Sequence, residues 1–282
     1  IGVLGAPRDF SPQAETAFYS PVPGEVAEEF GAAGTWEEVF GQEAEEHFMA
    51  WQYGRAVERI ASAGHREYPL PLYVNAWLEQ FPAVPGVYPS GGPVWKMHRI
   101  WKLAAPTVSF FAPDIYVDDY RRVCDEYASQ GNPLFIPEVR NTVDAVPFLF
   151  YAVGAHSALG FSPFGIEDMG GGAGAQDAAV LETLNIGASA LCTGPSAGKL
   201  LAEAYALLEG MEGPLCLAQE QGRVQGFLES GEGGTVLSLR DCDLKITYQG
   251  HGSFFAPGPA KEAGAPLGGG FVLEDEGCIY LT

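Results

Sequence analysis

Positive charge is scarce in this chain. Lys and Arg total 15 against 36 Asp and Glu in 282 residues, a formal charge of -21. Nucleic-acid binding needs a basic footprint for the phosphates, and anionic membrane surfaces select the same charge, so composition argues against both partners. Long hydrophobic runs are also missing: no stretch of about 18 apolar residues is present to span a bilayer. Cysteine is sparse. Cys124, Cys192, Cys216, Cys242 and Cys278 are scattered without C-x-x-C spacing, so neither a zinc site nor a disulfide framework is expected. His47, His65, His98, His156 and His251 show no H-x-x-x-H or H-x-H spacing, and His47 and His98 fall in helical apolar stripes. Ser157 and Ser162 lack a G-x-S-x-G elbow. Gly194-Pro-Ser-Ala-Gly198-Lys199-Leu200 is one residue short of a phosphate loop and has Leu200 where Ser or Thr would hold magnesium, so it reads as a helix start. No metal and no cofactor is expected.

What the chain does have is a rhythm. Hydrophobic residues make up 47% and aromatics 12%, enough for a sizeable core. Residues 1–40 are broken by Gly and Pro and read as a long loop with one short helix. A helix is expected at 43–63, opened by a solvated acidic start at Glu43, Glu45 and Glu46 and closed by Gly64. A strand at 68–75, a Pro/Gly-rich loop at 81–93, a helical stripe from Val94 to Ala104, a strand at 108–116 and a stripe from Tyr120 to Tyr127 follow. Residues 134–137 form a short apolar run bounded by prolines. Such a run suits a buried parallel strand, with pairing stopping near Pro137. A helix at 143–157 and a strand at 158–162 complete four strand–helix alternations. That pattern implies parallel strands joined by crossovers. Four such units are half of an eightfold barrel, and they could equally be a small open sheet. A glycine stretch at 170–174 and helical sequence at 177–191 and 199–210 come next. From Pro214 the chain changes to short strands with Gly-rich turns, an antiparallel β domain. The domains expected are therefore 1–210 and 211–282.

Each of the four strands ends in residues that a packed core would not need: Asn75 with Trp77, Asp114 with Tyr116, Glu138 with Arg140, and Phe161-Ser162-Pro163-Phe164. In parallel α/β folds the C-terminal ends of strands carry the chemistry. Aromatic faces stack on sugar rings, and amides and carboxylates hydrogen-bond hydroxyls, so a neutral carbohydrate is the expected ligand. A carboxylate among aromatics suits glycoside hydrolysis through an oxocarbenium-like transition state, and a tyrosine hydroxyl can orient the nucleophile. Glu138 alone could instead be a structural carboxylate paired with Arg140 or a backbone amide. Arg8 and Asp9 could line the same site.

Asn132-Pro-Leu-Phe-Ile-Pro-Glu138, Pro71-Leu-Tyr-Val-Asn75-Ala-Trp77, Tyr88-Pro-Ser-Gly-Gly-Pro93, Ala112-Pro-Asp-Ile-Tyr116 and Gly160-Phe-Ser-Pro-Phe-Gly165 together resemble the second half of glycoside hydrolase family 35, in its bacterial β-galactosidase-like branch. The resemblance covers most of residues 1–165. It implies the second half of a (β/α)8 TIM barrel, strands five to eight, followed by the antiparallel β domain. It implies a retaining enzyme that cleaves terminal β-galactosyl residues, with Glu138 as nucleophile, Tyr116 orienting it, and Asn75, Trp77 and Phe161 on the sugar. Ile1-Gly2-Val3-Leu4-Gly5 resembles the continuation of the family's acid/base motif, which puts that second carboxylate just before Ile1 and the N-terminal half of the barrel outside this chain. The chain alone would then be incomplete and inactive. Action on polysaccharide would suit secretion or the periplasm, with any targeting segment upstream. The competing reading is a non-catalytic carbohydrate-binding or structural fragment without the acid/base.

Overall fold

The computed structural model describes residues 5–169, 195–230, 233–248 and 266–282. The expected glycine stretch at 170–174, the helix at 177–191, residues Ile1 to Leu4 of the acid/base motif, Cys192 and His251 lie outside the described residues. By internal packing the chain divides into two compact units, Ile1–Asp114 with Glu126–Pro133, and Ile115–Asp125 with Leu134–Thr282.

The first unit opens with three short helices, α1 (Pro12–Phe18), α2 (Gly24–Phe30) and α3 (Trp36–Phe40), where the sequence reading expected one. Elements of five to seven residues are too short to show a period, but their caps are local. The Ser11 side chain accepts from the Ala14 N–H ahead of Pro12. Thr35 and Glu38 form a reciprocal capping box. Helix α4 (Ala44–Glu67) is longer than expected and runs through Gly64. Strand β1 (Leu72–Ala76), helix α5 (His98–Ala104) and strand β2 (Val108–Ile115) follow. β1 and β2 pair in parallel, with Val74 opposite Phe111 and Asn75 opposite Ala112. Phe48 of α4, Trp101 of α5 and Phe111 of β2 are almost fully buried in one core. Each buried Phe contributes about 2–3 kcal/mol relative to an exposed one. His98 lies in this core between the Phe111 and Tyr127 rings, and burial pushes its imidazole down to about 4, so it is neutral at pH 7.

The second unit holds α6 (Tyr120–Tyr127) in part, β3 (Ile136–Val139), α7 (Ala145–His156), β4 (Phe161–Pro163), α8 (Pro195–Gly210), α9 (Glu212–Glu220) and strands β5 (Val224–Leu228), β6 (Thr235–Ser238), β7 (Asp243–Ile246), β8 (Gly269–Asp275) and β9 (Cys278–Leu281). Strand β3 begins two residues later than its apolar run and includes Pro137. The ladder bypasses that proline. The Ile136 N–H donates to Gly160 O at 3.0 Å and the Arg140 N–H to Ile115 O at 3.2 Å. The register is irregular between Ile136 and Val139, so the missing N–H costs no bond. Glu138 therefore stands within the strand, next to its last residue. Helix α9 was not expected. Its Pro214 sits in the first turn, where a proline is tolerated, and Leu215 and Ala218 are buried.

β1, β2, β3 and β4 form one parallel sheet in that order; β5-β8-β9 and β6-β7 are separate antiparallel sheets. This corrects the expected fold. The chain is an α/β protein with a four-stranded parallel sheet and added antiparallel sheets, and its strand count and order are not those of the second half of a (β/α)8 barrel. Alternating strand and helix requires only that the strands be parallel, because each parallel pair needs a crossover. It does not say how the sheet ends or what covers its helices. Here α7 packs against β5 and β8. A Cβ at Gly154 of α7 would meet Phe271 Cβ at 2.2 Å, so only glycine lets this helix approach the antiparallel sheet. No described helix is long and apolar enough to cross a membrane.

Candidate active site

Two expected site residues meet in the second unit. The Tyr116 hydroxyl, just past β2, donates to Glu138 Oε1 at 2.5 Å. Both side chains are half-buried. Arg140 does not pair with Glu138. Its Nε donates to the Tyr116 carbonyl at 2.8 Å, its second terminal nitrogen reaches the same carbonyl, and Nη1 forms an ion pair with Asp118 at 2.6 Å. The guanidinium thus fixes the backbone of the tyrosine that holds the carboxylate. A hydroxyl this close to one carboxyl oxygen constrains how the Glu138 side chain is turned, and among the described residues its second oxygen accepts no hydrogen bond.

Asn75 and Trp77 belong to the first unit, at the C-terminal end of β1. Asn75 is exposed and its Nδ2 donates to Asp114 Oδ1 at 2.8 Å. Trp77 is half-buried. Phe161 belongs to the second unit and is buried, with its carbonyl accepting from the Tyr205 hydroxyl at 2.7 Å. Arg8 is an anchor: it is buried, pairs with Glu15 at 2.6 Å and Glu45 at 3.3 Å, and lies over the Phe10 and Phe18 rings. Asp9 caps Ser11 at the start of α1.

One cluster escaped the sequence reading. Glu46, expected in a solvated helix start, is 2% exposed. It accepts from Tyr88 Oη at 2.6 Å and pairs with Lys96 Nζ at 2.8 Å. Lys96 also pairs with Glu79 at 2.6 Å, so one ammonium serves two carboxylates. Burial pushes the Glu46 carboxyl up, against the pull of Lys96 and Tyr88. Burial, and then the carboxylate it faces, push the Tyr88 phenol up, which keeps it a donor. A signal was present: Glu46 precedes Ala50 and Gly54 by one and two helical turns, on the face that packs inward.

Residues 201–281 match a domain of unknown function, DUF5597. The match spans α8 from its seventh residue, α9 and the strands β5 to β9. No curated protein matches the chain. Within the matched region an open cleft of about 850 Å³ is lined by Arg223, Arg240, Cys242, Glu274 and Cys278, among others, and by none of the expected site residues. Cys124, Cys216, Cys242 and Cys278 are free thiols. Among the described residues no group of three or more His, Cys, Asp or Glu could hold a metal ion.

Proposed function

We propose that the protein is a retaining glycoside hydrolase acting on terminal β-galactosyl residues, with Glu138 as the nucleophile. The observation that carries this reading is the 2.5 Å bond from Tyr116 to Glu138, on a tyrosine whose backbone is held by Arg140. A structural carboxylate would have been expected to take the neighbouring guanidinium, and Glu138 does not. In the proposed reaction an oxygen of Glu138 attacks the anomeric carbon, the glycosidic bond breaks with its electron pair passing to the leaving oxygen, which takes a proton from water or departs as a stable anion, and a glycosyl ester forms on Glu138. Water then attacks the anomeric carbon, gives its proton to solvent, displaces the carboxylate and restores the starting configuration. Tyr116 holds the carboxylate during attack. Asn75 and Trp77 are assigned to the sugar by resemblance to family 35, which also supplies galactose as the sugar. A neutral ligand agrees with the chain's excess of negative charge.

The test uses 2,4-dinitrophenyl β-galactoside, whose leaving group departs as a stable anion without a proton donor. Mixing with the protein is expected to give a rapid burst of one dinitrophenolate per chain, the signature of a covalent intermediate. Binding of galactosides without any burst or turnover would overturn the catalytic reading in favour of a carbohydrate-binding protein.

A further inference from the structure

The turn that follows β2, Tyr116 to Asp119, carries the tyrosine that meets Glu138, and both of its ends are anchored in packed structure. Ile115 and Tyr120 are buried, and Tyr120 stacks on Phe148 at 4.1 Å. Between these anchors the turn is gripped by a side chain from the end of the neighbouring strand. Arg140 reaches the Tyr116 carbonyl with Nε at 2.8 Å and with a second nitrogen, and its Nη1 pairs with Asp118 at 2.6 Å. Its backbone N–H donates to Ile115 O at 3.2 Å. All of these residues belong to the second unit.

A guanidinium two residues from a carboxylate can serve it in two ways. It can stabilise the negative charge through space, or it can set where the tyrosine hydroxyl sits. The bonding pattern separates the two. Charge alone would be supplied equally by a lysine. A forked hold on one carbonyl and one carboxylate uses the planar guanidinium, which lysine lacks. Here all three nitrogens are committed to Tyr116 and Asp118. Displacing a group at a reacting centre by about 1 Å costs on the order of 10²-fold in rate, so a grip on the tyrosine backbone has a catalytic consequence.

We propose that Arg140 is a positioning residue for the Glu138 carboxylate, acting through the Tyr116 backbone, and that Asp118, whose side chain is 96% exposed, belongs to the same device. The inference rests on the glycosidase reading. It extends the residues that set the rate from the carboxylate and its tyrosine to the solvent side of the turn between β2 and α6.

The test is a double-mutant cycle on dinitrophenolate release from 2,4-dinitrophenyl β-galactoside, with Arg140→Lys, Tyr116→Phe and the two combined. Arg140→Lys keeps the charge, and it is expected to lower the burst rate constant about tenfold while galactoside affinity stays within about twofold. In the Tyr116→Phe background the same change is expected to cost less than about twofold, because the hydroxyl through which it acts is gone. The acid limb of the pH–rate profile is expected to stay in place while the plateau falls. Asp118→Asn leaves the guanidinium on the carbonyl and is expected to lower the burst rate constant about threefold, again only when Tyr116 is present. Its exposed side chain predicts an unchanged melting temperature, so this second cycle decides the matter should Arg140→Lys fail to fold. Normal rates in the single variants, equal losses in both backgrounds, or a displaced acid limb in Arg140→Lys overturns this inference and leaves the glycosidase reading standing. Absence of any burst or turnover in the unaltered protein overturns the glycosidase reading and this inference with it.

Discussion

Glu138→Gln lowers the rate of dinitrophenolate release by four or more decades and leaves the fold intact. The size follows from the role: the amide that replaces the carboxylate cannot form the glycosyl ester, and loss of a covalent nucleophile typically removes on the order of 10⁴–10⁶ in turnover. The fold survives because Gln keeps the shape and an acceptor oxygen for the Tyr116 hydroxyl, and Glu138 is half-buried rather than locked in the core. Tyr116→Phe is expected to cost less, on the order of 10²-fold, the usual loss when one oriented hydrogen bond at a reacting group is removed. The graded pair separates catalysis from packing. A purely structural Glu138 would show near-normal release rates in both variants, or equal losses that follow a lowered melting temperature. Stopped-flow absorbance for the release and circular dichroism for the melt give both readouts.

Lys96→Met destabilises the protein by about 3 kcal/mol at pH 7, the scale of breaking a buried pair from one side. The lysine neutralises Glu46, which is 2% exposed and among the described residues pairs with no other cation, and it also holds Glu79. Without it, burial acts on Glu46 with only Tyr88 in opposition, and the folded-state pKa, already raised, rises further. The sign of the pH dependence follows. A carboxyl whose folded pKa exceeds its unfolded value retains its stability below the unfolded value and loses it as pH rises through the folded one. The penalty of Lys96→Met is therefore smaller at pH 5 than at pH 7. Glu46→Gln keeps an acceptor for Tyr88 and leaves Lys96 with Glu79, so it costs about 1 kcal/mol. Urea denaturation at the two pH values measures all three proteins. Equal losses for Lys96→Met at both would show that the lysine contributes packing and not charge.

Much of the chain's order could be read in advance. The alternation of β1 to β4 with helices was visible because parallel strands are apolar runs and their crossovers are amphipathic. The strands β5 to β8 were visible from their glycine turns. What periodicity could not supply was the way the sheet ends, and the resemblance to family 35 pointed to half a barrel where the described residues form a four-stranded parallel sheet and two antiparallel ones. Packing of α7 on β5 and β8 is a long-range event, and in sequence its trace is three glycines, Gly154, Gly226 and Gly269. The shift of β3 past Pro137 was hidden because the proline's missing donor is absorbed by an irregular register, which depends on its neighbours.

At the site, strand ends drew attention to Tyr116 and Glu138, and the structure joins them by a hydrogen bond. Sequence adjacency suggested Arg140 as the partner of Glu138, yet the guanidinium turns to the Tyr116 carbonyl and Asp118. Residues two apart in a strand share a face but not a partner, so spacing alone could not decide. Glu46 was misjudged because an acidic first turn is favourable for any helix, and that local reason masked the inward-facing position. The loop motif Tyr88-Pro-Ser-Gly-Gly-Pro93 acquires a physical meaning in the fold: Tyr88 meets Glu46, Ser90 meets Pro7, and Gly91, at φ +81°, lies against Met49.

The most direct measurement is peptide mapping by mass spectrometry after incubation with a 2-deoxy-2-fluoro-β-galactosyl fluoride, which slows the breakdown of a glycosyl ester. The expected result is a single fluorogalactosyl group on Glu138, absent in Glu138→Gln. A label on another carboxylate, or no label under conditions where the sugar binds, would contradict the assignment of Glu138 as nucleophile.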